Sequence, residues 1–179
     1  HFVPAAQMFT LRQYTQTPEG LEMCFRRLAE MGFPAVQLST IGPQISADFI
    51  TALCREYGLE VCATHTPLER ILNDLPAVIS EHRAWGCTIV GLGNPPQRYT
   101  DCGYPGYARL VEDLRPAVAL LKENGMKFAY HSHSHEFQRG PGGRLVYDML
   151  VEDTDPDAFT FIQDTFWMRY AGLNHLHYI

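Results

Sequence analysis

Basic residues are scarce in this chain: 14 Lys and Arg stand against 20 Asp and Glu, for a formal charge of −6. A nucleic-acid partner needs a basic stripe to neutralise phosphates, so the acidic balance argues against that class of binding. Long apolar runs are missing too. None approaches the roughly 20 residues that a spanning helix requires, so no membrane anchor is expected. Five cysteines (Cys24, Cys54, Cys62, Cys87 and Cys102) form an odd set with no Cys-x-x-Cys pair. They read as small hydrophobes rather than a disulfide or metal framework, and a reducing, cytoplasmic setting fits that reading. The opening His1-Phe2-Val3-Pro4 lacks the basic-then-apolar pattern of a signal peptide. With no initiator Met, the expectation is a trimmed or partial chain, so its targeting cannot be judged.

What remains is the profile of a folded domain. Hydrophobic residues make up 46% of the 179 positions and charged ones 19%, enough for one domain with a substantial core. One unit recurs along the chain. A helical stretch ends in Gly and a short apolar strand comes next: Gly32 before 35–38, Gly58 before 59–63, Gly86 before 88–91 and Gly125 before 127–130. Glycine just past a helix takes the left-handed conformation cheaply and releases the chain. Thr17 and Pro18 open a first helix with Leu21, Phe25 and Leu28 on one stripe. Ser46 caps a second, and Asn73 or Asp74 a third. The fourth runs from Leu110 to Leu121 and should kink at Pro116, which lacks a backbone donor. A weaker fifth covers 145–151. Adding Met8–Leu11 at the front and 159–162 near the end gives six strands alternating with helices.

Such alternation implies a parallel sheet with right-handed crossovers, covered on both faces. Two α/β architectures fit: an open doubly wound sheet, or a (β/α)8 barrel of the TIM type, present as about six βα units. No Gly-x-Gly-x-x-Gly or phosphate loop follows the first strand, which weakens the nucleotide-binding open sheet.

Polar residues fall just after each strand: Arg12-Gln13, Ser39-Thr40, His65, Asn94, His131 with His133, and Asp164. In parallel α/β folds these positions converge on the active site. The densest signal is His131-Ser132-His133-Ser134-His135-Glu136. Alternate residues of an extended segment share a face, so His131 and His133 can bind a divalent cation together. The competing reading is a polar loop of solvated histidines. Asp164 is either a ligand or the cap of a following helix, with ligand favoured. His65 reads equally as a core histidine bonded to a carbonyl and as a substrate contact.

These residues resemble the sugar phosphate isomerase/epimerase family, the xylose-isomerase-like barrels. The matching stretches are Gln7 to Arg12, Gly32 to Leu38, Val61 to His65, Phe128 to His133 with Glu136-Phe137, and Asp164 to Trp167. The resemblance implies a single, incomplete TIM-barrel domain over 1–179, lacking the last two of eight strands. It also implies one divalent metal ion (Mn, Mg, Zn or Co) at the C-terminal mouth. By the same resemblance Asp164 falls on a ligand position. His131 stands where many members carry a Glu that both binds metal and moves protons, and His65, His133 and Trp167 would contact the sugar. The implied activity is metal-assisted proton transfer next to a carbonyl in a sugar or sugar phosphate. Relatives with this Tyr-His-x-His pattern are also associated with oxidised glycosides, so a 3-keto-glycoside lyase is the second reading and a non-catalytic sugar-binding protein the third. Expected partners are a small sugar and, through unpaired sheet edges, a second copy of the chain.

Overall fold

The computed structural model describes residues 3–178. Of the opening His1-Phe2-Val3-Pro4, read as non-signal sequence, His1 and Phe2 lie outside the described residues. Six strands alternate with helices in the expected order. The strands are β1 Ala5–Gln7, β2 Ala35–Ser39, β3 Glu60–His65, β4 Ile89–Leu92, β5 Lys127–His131 and β6 Phe159–Ile162. The helices are α1 Pro18–Glu30, α2 Ala47–Tyr57, α3 Leu68–Asn73, α4 Leu75–Trp85, α5 Gln97–Thr100, α6 Tyr104–Glu123, α7 Val146–Glu152 and α8 Thr165–Tyr170. The strands form two three-stranded sheets, ordered β1-β2-β3 and β4-β5-β6. Pairing is parallel between β1 and β2, β2 and β3, and β5 and β6. Among the described residues no helix is long and apolar enough to cross a membrane.

The chain divides into two compact units. The first holds residues up to Thr66 together with Asp74–Val90; the second holds Pro67–Asn73 and the residues from Gly91 onward. In the first, the Leu21, Phe25 and Leu28 stripe of α1 packs with Val36 and Leu38 of β2, Ile50 and Leu53 of α2, and Val61 of β3. Full burial of each such side chain contributes about 1.5–3 kcal/mol. In the second, Tyr107, Leu110, Leu114 and Leu121 of α6 are buried, as are Phe128 and Tyr130 of β5. Phe128 meets Phe159 of β6 with ring centroids 4.9 Å apart.

The local signals explain the element ends. Thr17 Oγ1 accepts the Gly20 N–H and Ser46 Oγ accepts the Phe49 N–H, so both expected caps are made. Gly58 and Gly86 close α2 and α4 with φ of 66° and 68°, a region that strains residues with a Cβ and costs glycine little. Two expectations need correction. Met8–Leu11 is a 3-10 turn, not a strand; β1 precedes it, and Phe9 is exposed while Met8 is buried, an i, i+3 pattern with Leu11 rather than an alternation. Asp74 stands at the start of α4 but its side chain makes no capping bond, and the separate short helix α3 precedes it. The fourth expected helix is α6, with Pro116 inside it and Leu114 and Ala117 on either side held in the core.

Candidate active site

The second unit gathers four of the five residues singled out by the sequence. His131 is the last residue of β5, and β6 lies beside it with Ile162 as its register partner. Asp164 comes two residues later, so both side chains leave adjacent parallel strands at the same end. His131 Nε2 lies 3.1 Å from Asp164 Oδ2. The other oxygen, Oδ1, accepts the Phe166 N–H at 2.9 Å and caps α8. Asp164 is therefore the helix cap, and it also faces the histidine. The oxygen that caps α8 is not the one that faces His131.

His133 sits against this pair, its ring centroid 4.6 Å from that of His131 and 5.4 Å from that of Trp167. His135 stacks on His133 with an interplanar angle of 6°. Burial first, and then the neighbouring His131 and His135, push the His133 pKa below the ordinary imidazole value. His65, by contrast, belongs to the first unit. Its Nδ1 lies 3.1 Å from Ser39 Oγ and its Nε2 2.9 Å from Gln37 Nε2, a polar group at the ends of β2 and β3. Thr40, next after β2, adopts φ 56°, a strained conformation for a β-branched residue. Its carbonyl accepts from Thr15 Oγ1 and Gln16 Nε2 at 2.9 and 2.8 Å.

Sequence reasoning leaves Glu136 without a role, and the structure gives it one. It has no exposed surface. Oε1 accepts from Tyr130 Oη at 2.5 Å and Tyr107 Oη at 3.3 Å, while Oε2 accepts the His133 backbone N–H at 2.6 Å. His135 Nε2 lies 3.0 Å from Oε1 but off the line of a hydrogen bond. Burial opposes the charged form of Glu136. The His135 ring, the Tyr130 hydroxyl and the His133 N–H outweigh it and hold the carboxyl below its usual range. The local sequence held one usable signal, a Glu three residues after His133 and flanked by His135 and Phe137.

The donor set suits a divalent cation. His133 Nδ1 and His135 Nε2 are buried and make no hydrogen bond, and His133, His135 and Glu136 bring one ligand atom each within 4.8 Å of one another. The 3.1 Å between His131 Nε2 and Asp164 Oδ2 is also the spacing of two neighbouring ligands on one ion, about 3 Å for bonds of about 2.1 Å. Imidazole with carboxylate is a donor mix that zinc, manganese and related ions accept.

Comparison with known proteins places the fold. No protein-family profile matches the chain. One curated relative is the inosose dehydratase of Geobacillus thermodenitrificans (strain NG80-2), 33% identical over 70 residues; the match covers 38% of this chain and 22% of that protein. Among solved structures, a sugar phosphate isomerase/epimerase from Parabacteroides distasonis ATCC 8503 superposes with a TM-score of 0.73 at 20% identity, over 97% of this chain and 69% of that one. A xylose isomerase-like TIM barrel protein from Mycobacterium smegmatis, in complex with magnesium, gives 0.66 at 15% identity, over 89% and 63%. D-psicose 3-epimerase from Clostridium cellulolyticum H10, with D-tagatose, gives 0.63 at 12% identity, over 92% and 64%. The chain thus spans about two thirds of the barrels it superposes on, and it has the fold of the sugar phosphate isomerase/epimerase and xylose-isomerase-like TIM barrels as a partial barrel.

Proposed function

We propose that the chain is the greater part of a metal-dependent enzyme that moves a proton next to a sugar carbonyl. The observation that carries this is the His131–Asp164 pair at adjacent strand ends, with His133 and Trp167 in ring contact beside it. Asp164 Oδ2 and His131 Nε2 would hold one divalent ion. When bound, the ion supplies a Lewis acid that polarises a carbonyl and makes the adjacent C–H acidic. The chain's own residues do the rest. Two duties were expected of His131, ligation and proton transfer, and they compete for the Nε2 lone pair. Once that lone pair is engaged, His133 is the neighbouring base, with a buried Nδ1 that makes no hydrogen bond. Trp167 offers an aromatic face to the apolar side of a sugar and packs against the same imidazole, fixing its tilt.

The likeness to an inosose dehydratase, and to a probable 3-DHS dehydratase from Bacillus anthracis (TM-score 0.68, 10% identity, over 98% of this chain and 68% of that one), favours a second reading. Isomerisation and elimination share the first step, removal of a proton beside a carbonyl. They differ in the second: reprotonation at a new face or carbon, or departure of a β-substituent as water or an aglycone. The test is incubation of the protein and Mn2+ with keto-sugars and a keto-inositol in D2O, read by NMR and mass spectrometry. Deuterium at the carbon beside the carbonyl, dependent on added metal, is the expected result. Conserved mass then marks an isomerase or epimerase, and loss of water or aglycone marks a lyase. Sugar binding with neither metal uptake nor exchange would overturn the enzyme reading in favour of a binding protein.

A further inference from the structure

We infer that Glu136 is the positioning residue of this site: a buried anionic clamp that fixes the His131–His135 loop, not a ligand of the ion. The inference rests on the functional reading above. Counting lone pairs favours the clamp over the ligand. An ionised carboxylate offers about four in-plane acceptor sites, two per oxygen. Both sites of Oε1 are taken, by Tyr130 from β5 and Tyr107 from α6, and Oε2 is engaged by the His133 N–H at 2.6 Å. A third partner at Oε1 can only approach from the side, as His135 Nε2 does at 3.0 Å without hydrogen-bond alignment. A cation on Oε1 would have to displace two tyrosine hydroxyls, and the one site left is the second of Oε2, beside the His133 N–H.

As a clamp the same contacts make sense. The bond to the His133 backbone sets where that residue leaves the strand end, and so sets the His131–His133 ring spacing of 4.6 Å. The two tyrosines tie the carboxylate to a strand and a helix, so the loop takes its geometry from the core. The negative charge beside His133 and His135 also favours a cation nearby. Groups that orient ligands in this way are typically worth 10–100-fold in metal affinity.

Glu136→Gln is the test. Glutamine keeps the size but loses the charge: with its oxygen on the His133 N–H, its NH2 group faces tyrosine hydroxyls that must turn from donating to accepting, and with the amide reversed it meets the His133 N–H donor to donor. Tyr130→Phe is the milder second variant, removing the 2.5 Å bond while keeping the charge. Mn2+ affinity by calorimetry and the visible spectrum of the Co2+ form are measured on folded protein, well below the melting temperature. A 10–100-fold weaker affinity with a changed Co2+ spectrum in E136Q, and a smaller change in Y130F, is expected. Wild-type affinity and spectrum in either folded variant, with only the melting point lowered, would overturn the clamp and leave a purely structural buried acid. If E136Q does not fold, Y130F decides alone. If the wild-type protein takes up no divalent ion, the functional reading fails, and the 15N imidazole signals of His131 and His133 decide the clamp without metal. Broadening or merging in the variants supports it; unchanged signals overturn it.

Discussion

Replacing Asp164 by Asn separates the cap that this carboxylate makes from the ligand role proposed for it. The cap on α8 should survive, because Asn ranks with Asp as an N-cap and its side-chain oxygen can still accept the Phe166 N–H. What is lost at the helix end is the favourable charge, about 0.3–1 kcal/mol. In a chain of this length that lowers the metal-free melting temperature by no more than about 4 °C. Asp164→Ala also removes the capping bond and should cost a further ~0.5–2 kcal/mol. The metal response is where Asn should fail. At a concentration 100 times its Kd, an ion that binds only the folded state stabilises it by about 2.7 kcal/mol, or about 5–11 °C here. Loss of a charged ligand should weaken binding by at least the tenfold typical of a merely orienting group. At the same concentration the gain then falls to about 1.4 kcal/mol or less, at least halving the shift. His131→Ala should lose less, because His133 and water remain beside the vacated position. The assay is a thermal melt with and without Mn2+, paired with metal content after desalting and circular dichroism of each variant. A full metal-induced shift in Asp164→Asn with none in His131→Ala would refute the assignment, leaving the histidine cluster as anchor and Asp164 as a cap alone.

Three further outcomes are expected. Ser46→Ala removes the acceptor for the Phe49 N–H at the start of α2 and should cost about 1 kcal/mol, or about 2–4 °C in the melt, with metal affinity unchanged. Burial raises the Cys87 thiol to about 11, so it stays protonated at pH 8 and should alkylate last with iodoacetamide, while exposed Cys102 labels first; peptide mass mapping over time reports the order. Because that thiol's pKa is raised on folding, its contribution to stability is full below about pH 8 and declines as the pH climbs from the thiol's ordinary range to about 11, a loss that Cys87→Ser should remove. The strands β1 and β6 each have a hydrogen-bonded neighbour on one side only, among the described residues, and such edges recruit partners. Light scattering of the 179-residue chain should therefore show self-association, and a stable monomer at high concentration would defeat that expectation.

Punctuation and apolar stripes made the fold readable. Gly32, Gly58, Gly86 and Gly125 all adopt positive φ where the sequence placed helix ends, and Thr17 and Ser46 cap where expected. These signals are local, so neighbouring residues carry them. The 3-10 turn at Met8–Leu11 reads as a strand because four residues are too few for a two-residue period to differ from a three-residue one. The site was half legible. His131, His133, Asp164 and Trp167 do come together, since strand ends in a parallel sheet share one rim. Glu136 could not be assigned, because its meaning lies in burial against Tyr107, which is 29 residues away in the chain. Nor could the two oxygens of Asp164 be given separate duties before the backbone of α8 was in view.

The Tyr107–Glu136–Tyr130 contact also bears on when the site becomes ordered. Loops after strands usually open locally, with little loss of structure elsewhere. Here the backbone N–H of His133 is bonded to a carboxylate whose other oxygen is held by two side chains with no more than trace exposure, one from α6 and one from β5. Opening the loop would strand a buried charge among those rings, at a cost of several kcal/mol. The histidines should thus belong to the same cooperative unit as α6 and β5. The His133 amide should exchange with solvent on the slow timescale of the helix, not on the fast one of a surface turn, and the metal site should assemble as the core closes.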